Sequence, residues 1–274
     1  MKIAIAQINT TIGDFDGNAD KIVDAWRRAD EAGAALVVLP ELALCGYPPR
    51  DLLAKPAFLR QNQEALESLT KRSGKAVAVV GYASANETDS GRPAQNSAAV
   101  LQDGQVAAVR HKTLLPNYDV FDEDRYFEPA TGNTPVEILG TKVGITICED
   151  IWNDEVFLHD RRYDRRPAEE LAAAGAELLL NLSASPWSLG KEHSRHVLLS
   201  QLSVKCGCPV VYCNLVGGND ELVFDGGSQY YNGHGVLGAS GAMFAEDLLL
   251  VDTETIEPKS SNTSGDDEKI HKAL

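Results

Sequence analysis

What the chain lacks narrows its function before any motif is read. It has no basic excess: 25 Lys and Arg stand against 40 Asp and Glu, a formal net charge of −15. Such a surface repels phosphate backbones and anionic bilayers, so neither nucleic acid nor membrane is expected as a partner. No apolar run approaches the ~20 residues that a membrane helix needs. No secretory leader is expected either, because Met1 runs directly into the strand-like Lys2-Ile3-Ala4-Ile5-Ala6-Gln7. The five cysteines (Cys45, Cys148, Cys206, Cys208, Cys213) are odd in number, which argues against a disulfide framework and for a reducing, cytoplasmic setting. Cys206-Gly207-Cys208 is too tightly spaced, and too far from a second His or Cys pair, to read as a zinc site; no metal or other cofactor is expected. No internal repeat is visible.

What is present suits a layered α/β protein. With 274 residues and 43% apolar composition, the chain can bury one large core. Residues 2 to 8, 35 to 39, 76 to 82, 177 to 182 and 209 to 214 are short apolar runs of the kind buried on both faces of a sheet. Between them lie helical patterns: one capped by Asn18 and closed by Gly33, one over 58 to 71, one opened by Pro167, and one over 192 to 205. Two hairpins are expected, 97 to 101 with 106 to 110 across Asp103-Gly104, and 136 to 139 with 143 to 148 across Gly140. Residues 227 to 231 and 242 to 251 are read as the last strands. The pattern predicts two mixed sheets packed together with helices outside, in one domain over residues 1 to 257. Residues 258 to 274 offer almost nothing to bury and are read as a disordered tail.

Three strand ends carry reactive side chains. Glu41 follows one strand, Lys112 ends another, and Cys148 ends a third within Val143-Gly-Ile-Thr-Ile-Cys148-Glu149-Asp150-Ile-Trp152. Each alone has an ordinary explanation: a solvated loop acid, a surface cation, a small core thiol. Together they supply a nucleophile, a base to take its proton and a cation for a developing oxyanion, which is what acyl transfer from an amide requires.

The segments Leu39-Pro-Glu41-Leu42, His111-Lys112-Thr-Leu-Leu-Pro116-Asn-Tyr118 and Ile147-Cys148-Glu149-Asp150-Ile-Trp152 resemble the Glu-Lys-Cys motifs of the nitrilase, or carbon–nitrogen hydrolase, superfamily. Three more stretches are similar to the glutaminase domain of glutamine-dependent NAD synthetases: Tyr118 to Phe127, Asn181 to Pro186, and Val216 to Ser228. The resemblance covers residues 1 to about 252 and implies a four-layer α-β-β-α sandwich. It implies Cys148 as nucleophile, Glu41 as general base, Lys112 as oxyanion cation and Glu123 as a second glutamate supporting Lys112. It further implies Tyr118, Glu149, Ser185 and Lys191 as substrate-binding positions, with Glu149 of the right sign for an α-ammonium group, and the Glu149 backbone N–H as a second oxyanion donor. Trp152 and Trp187 suit either a pocket wall or the core.

The resemblance therefore implies hydrolysis of glutamine to glutamate and ammonia through a cysteine thioester, serving an NAD synthetase domain or subunit, and assembly as a dimer or larger homo-oligomer. A stand-alone amidase acting on another small amide is the alternative. Gly238-Ala-Ser-Gly241 lacks the spacing and acid of the phosphate loop that opens the family's synthetase domain, so NAD synthesis by this chain alone is not expected. The Asp- and Arg-rich stretch 153 to 166 is longer than the family's usual link and is read as a solvated loop or a subunit contact.

Overall fold

The computed structural model describes residues 1–88, 90–118, 120–153, 163–254 and 266–273. The first apolar run forms β1 (Lys2–Gln7), followed by α1 (Phe15–Glu31), β2 (Leu36–Val38), α2 (Pro56–Thr70) and β3 (Val77–Ala85). A hairpin of β4 (Ala94–Gln102) and β5 (Gln105–His111) closes this half, turning at Asp103-Gly104 as the sequence predicts. The second half runs β6 (Val136–Ile138), β7 (Thr141–Ile147), α3 (Pro167–Ala173), β8 (Leu178–Ser183), α4 (Lys191–Cys206) and β9 (Val210–Asn214). It ends with the hairpin β10 (Val216–Asn219) and β11 (Leu222–Asp225), then β12 (Gln229–Tyr231), β13 (Leu237–Ser240), β14 (Asp247–Asp252) and α5 (Asp266–Ala273).

Two six-stranded sheets result, in the orders β14-β1-β2-β3-β4-β5 and β13-β12-β9-β8-β7-β6. Both are mixed: β1, β2 and β3 are parallel, as are β7, β8 and β9, and the outer pairs are antiparallel. Strand alternation sorts each strand between two environments. Ile3 and Ile5 join Val143, Ile145, Leu180 and Val211 in the core between the sheets. Ala4 and Ala6 point the other way, into the layer beneath α1 with Trp26 and Leu39. On the second sheet Leu179, Val210 and Tyr212 face α3 and α4. The order is helix, sheet, sheet, helix, as expected.

The helix α1 begins earlier than its pattern suggests. Asp14 caps it by accepting the Gly17 N–H at 3.1 Å, whereas Asn18 lies inside the helix and binds loop backbone at Thr11 and Leu44. A buried Asn with loop partners is worth more there than at a cap, because its amide satisfies main-chain groups that water cannot reach. The hairpin β10–β11 and the strand β13 are additions, and the run read as 242 to 251 is a strand only from Asp247. Before it, Gln7 Nε2 donates to the Ala242 and Ala245 carbonyls at 2.7 and 2.6 Å, holding those residues as a loop. Within the stretch read as a tail, Asp266–Ala273 is helical, with Lys269 Nζ 2.5 Å from Glu192 at the start of α4. Residues 255–265, and 154–162 of the Asp- and Arg-rich stretch, lie outside the described residues. None of the described helices is long and apolar enough to cross a membrane.

Candidate active site

Parallel strands deliver their C-terminal ends to one side of a sheet, and loops there collect the groups that need fixed positions. Glu41 leaves the end of β2 over Gly81 of β3. A Cβ at Gly81 would stand 2.3 Å from the Pro40 carbonyl and 2.5 Å from the Leu42 nitrogen, so only glycine lets this turn lie flat on the sheet. The Glu41 carboxylate is then fixed from three directions. Its Oε1 accepts from Lys112 Nζ and from Asn96 Nδ2, each at 2.7 Å, and its Oε2 accepts the Ala184 N–H from the other sheet at 2.8 Å.

Lys112, one residue past β5, donates a second bond of 2.7 Å to Glu123 Oε2. Glu123 sits in a short 3-10 turn and accepts from the Tyr47 hydroxyl at 2.8 Å through its other oxygen. All three ionisable groups are buried: Glu41 and Lys112 are 1% exposed and Glu123 6%. Burial opposes the Lys112 ammonium, yet Glu123 and Glu41 together outweigh it and hold its pKa well above the ordinary lysine value. Desolvation, reinforced by Glu41, carries Glu123 up to about 7 against the pull of Lys112.

Cys148 opens a second 3-10 turn, Cys148–Ile151, at the end of β7, with its backbone in the left-handed region at φ 42°. For a residue with a Cβ this conformation costs of order 1–3 kcal/mol and persists only where the surroundings enforce it. Asp150 is one enforcer: Oδ2 accepts the Ile147 N–H at 2.9 Å, while Oδ1 accepts the Thr113 and Leu114 N–H groups at 2.9 and 2.8 Å. One buried carboxylate thus ties the turn bearing Cys148 to the loop bearing Lys112. The thiol pKa is pushed well above its ordinary value by burial first and by Glu41 next, with Lys112 pulling the opposite way. Lys112 does favour the thiolate, as its charge requires, but it does not prevail in the resting site. Burial and the Glu41 charge thus favour the neutral thiol over the thiolate.

Beyond the thiol lies a pocket of about 410 Å³ lined by Tyr118, Trp152, Ser188, Leu189, Gly190, Lys191 and Ser194. Glu149 is buried beside it, its Oε1 accepting from the Tyr118 hydroxyl at 2.7 Å and the Tyr163 hydroxyl at 3.1 Å. Lys191 Nζ stands 5.6 Å over the Trp152 ring, and burial lowers its pKa. Trp152 is therefore a wall of the pocket, whereas Trp187 packs edge-on against Phe244. Ser185 is buried behind this pocket and outside its lining, its N–H bonded to Asn214 Oδ1 at 2.9 Å. The structure thus joins Glu41, Lys112 and Glu123 directly, couples Cys148 to them by charge, and gathers Tyr118, Glu149 and Lys191 around one pocket. Asn96, Asp150, Tyr47 and Tyr163 escape the sequence reading; of these only Asp150 carries a local signal, as the second acid after the cysteine. Among the described residues no cluster of His, Cys, Asp and Glu is arranged to hold a metal ion.

Residues 2–256 match the carbon-nitrogen hydrolase family. The chain is 44% identical over 253 residues to a glutamine-dependent NAD(+) synthetase of Synechocystis sp., covering 91% of this chain and 45% of that protein. A glutamine-dependent NAD(+) synthetase of Thermotoga maritima is 41% identical over 261 residues, with 94% and 42% covered. The chain therefore spans less than half the length of these curated relatives. Among solved structures, the glutamine-dependent NAD+ synthetase of Acinetobacter baumannii superposes with a TM-score of 0.88 at 34% identity, covering 99% of this chain and 50% of that one. An amidase from Nesterenkonia sp. superposes at 0.75 with 27% identity, covering 92% of this chain and 89% of its own. With this match running through the whole sandwich and both of its sheets, the chain belongs to the carbon-nitrogen hydrolase family.

Proposed function

We propose that this chain hydrolyses the side-chain amide of glutamine to glutamate and ammonia, with Glu41, Lys112 and Cys148 as the catalytic set, and that the ammonia serves an NAD synthetase domain or subunit. The observation that carries the reading is the bridged ammonium: Lys112 spends two donors on Glu41 and Glu123, each at 2.7 Å, and keeps the third for a substrate oxygen. Glu41 takes the Cys148 proton as the sulfur attacks the amide carbon. The resulting oxyanion faces Lys112 Nζ and the Glu149 N–H, and loss of one such donor costs about 3 kcal/mol. Protonated Glu41 returns its proton to the leaving nitrogen, the C–N bond breaks, and ammonia departs from a thioester. Water then attacks the thioester, giving a proton to Glu41, and the thiol is regenerated with release of glutamate.

Substrate choice is assigned to the pocket beyond the thiol. Glu149, oriented by two tyrosine hydroxyls, supplies the anion for an α-ammonium, and Lys191 supplies the cation for an α-carboxylate. Names of the relatives support glutamine as the nitrogen donor. A second reading, an independent amidase for another small amide, is favoured by the Nesterenkonia amidase, which this chain matches over most of both lengths. Ammonia release from glutamine and from a panel of small amides, by wild type and by Cys148→Ala, separates the readings. Glutamine hydrolysis lost in Cys148→Ala is expected; hydrolysis that persists overturns the mechanism, and hydrolysis of other amides only establishes the second reading. Family resemblance also supports a homo-oligomer, which a monomeric mass by light scattering at micromolar concentration overturns.

A further inference from the structure

Apart from the reaction centre, the described interior holds one other fully buried ion pair, Arg195 with Asp225. Arg195 lies on α4 one turn beyond Lys191, and both guanidinium NH2 groups reach the Asp225 carboxylate at 3.0 Å. The same carboxylate accepts Asn214 Nδ2 at 3.1 Å, and Asn214 in turn holds the Ser185 N–H at 2.9 Å. One acid on β11 thus fixes both the helix that carries Lys191 and the loop that carries Ser185. The loop is fastened to β11 once more where the Trp187 N–H meets the Val223 carbonyl at 2.6 Å.

Stability alone is a poor reason for this pair. Buried ion pairs lose about as much hydration as they gain in attraction, and apolar replacements are often as stable. Arg195 Nε is left with no hydrogen-bond partner among the described residues, a further cost. What a bidentate fork does supply is a fixed angle and distance. The preceding turn of the same helix face carries Lys191, the cation of the pocket.

We infer that Arg195 and Asp225 are positioning residues for substrate choice: the pair sets Lys191 and the Ser185 loop so that the pocket takes amides bearing a carboxylate remote from the reacting carbon. The inference rests on the proposed hydrolase and names which end of its substrate the pair governs. Three probes divide the contributions. Glutamine carries both α groups, glutaramate keeps the carboxylate without the ammonium, and butyramide carries neither.

Arg195→Lys keeps the charge and loses the fork; its KM for glutamine and glutaramate should rise about tenfold with kcat within about twofold, and butyramide kcat/KM should stay unchanged. Asp225→Asn should give the same pattern and serves if Arg195→Lys fails to fold, with thermal midpoints checking each. Equal losses on all three amides would make the pair merely structural and overturn the inference, as would a glutamine KM that does not move. Wild type that hydrolyses glutaramate but not glutamine removes glutamine as substrate while the inference stands or falls on glutaramate. Wild type that hydrolyses no carboxylate-bearing amide overturns both.

Discussion

Two buried ionic clusters lie in the same molecule, and they are built to opposite rules. At the candidate active site one ammonium serves two carboxylates, Lys112 between Glu41 and Glu123. Behind the pocket one guanidinium serves one carboxylate, Arg195 on Asp225. The first arrangement sets two carboxylates against one cation, and burial, with Glu41 adding to it, carries Glu123 up to about 7 and raises the pKa of the Cys148 thiol. The second pairs one charge with one, and although burial opposes the Arg195 guanidinium, Asp225, Tyr212 and Glu192 together outweigh it and raise its pKa.

The largest effect is expected from breaking the unbalanced cluster at its cation. Lys112→Met removes the oxyanion donor and strands two carboxylates; ammonia release should fall at least ~10³-fold, with the thermal midpoint lowered as well. Arg195→Met tests the balanced cluster in the same way. It should cost about 3–5 kcal/mol in chemical denaturation, whereas Arg195→Met with Asp225→Leu should recover most of that loss because no charge is left unpaired. A double variant no more stable than the single would show that the fork, not neutrality, holds the fold.

Glu123→Gln makes the first cluster resemble the second. Activity should drop by roughly 10–100-fold as Lys112 loses a tether, while the denaturation midpoint stays level or rises because the uncompensated carboxylate is gone. The smallest effect is one of pH. Glu123 is raised from the ordinary 4.5 to about 7, so the folded chain binds more protons than the unfolded one across that window. Its contribution to stability is complete at the acid end and is lost as pH rises through about 7. Activity should run the other way, rising through about 7 as Glu123 ionises and fixes Lys112. In Glu123→Gln both pH trends should flatten; wild-type and variant profiles that coincide would remove Glu123 as their source.

The sequence makes the unbalanced cluster easier to foresee than the balanced one. Glu41 and Cys148 each close an apolar run and Lys112 ends the second strand of a hairpin pattern, so the change from strand to charge is local and readable. The layers were legible for the same reason, since period-two and helical patterns are short-range. Arg195 and Asp225 lie 30 residues apart in chain order, and nothing near either announces the other. Asn96 shares this difficulty: its partner Glu41 is 55 residues away and joins it only once β4 pairs with β3. The hairpin β10–β11 is missing from the sequence reading, since two adjacent glycines weaken the strand pattern, although Val216–Asn219 pairs residue for residue with Leu222–Asp225.

The bond from the Ala184 N–H to Glu41 joins the end of one sheet to the end of the other, and the Asp150 carboxylate repeats that stitch between the Lys112 loop and the Cys148 turn. The candidate active site is therefore a seam, and its integrity measures how faithfully the two sheets keep their alignment. A small slip of one sheet over the other would leave every strand intact and most of the core buried, yet would part Glu41 and Lys112 from the Cys148 turn. On slow heating, ammonia release should fade before the circular dichroism of the strands begins to change, which makes turnover the more sensitive thermometer of this fold.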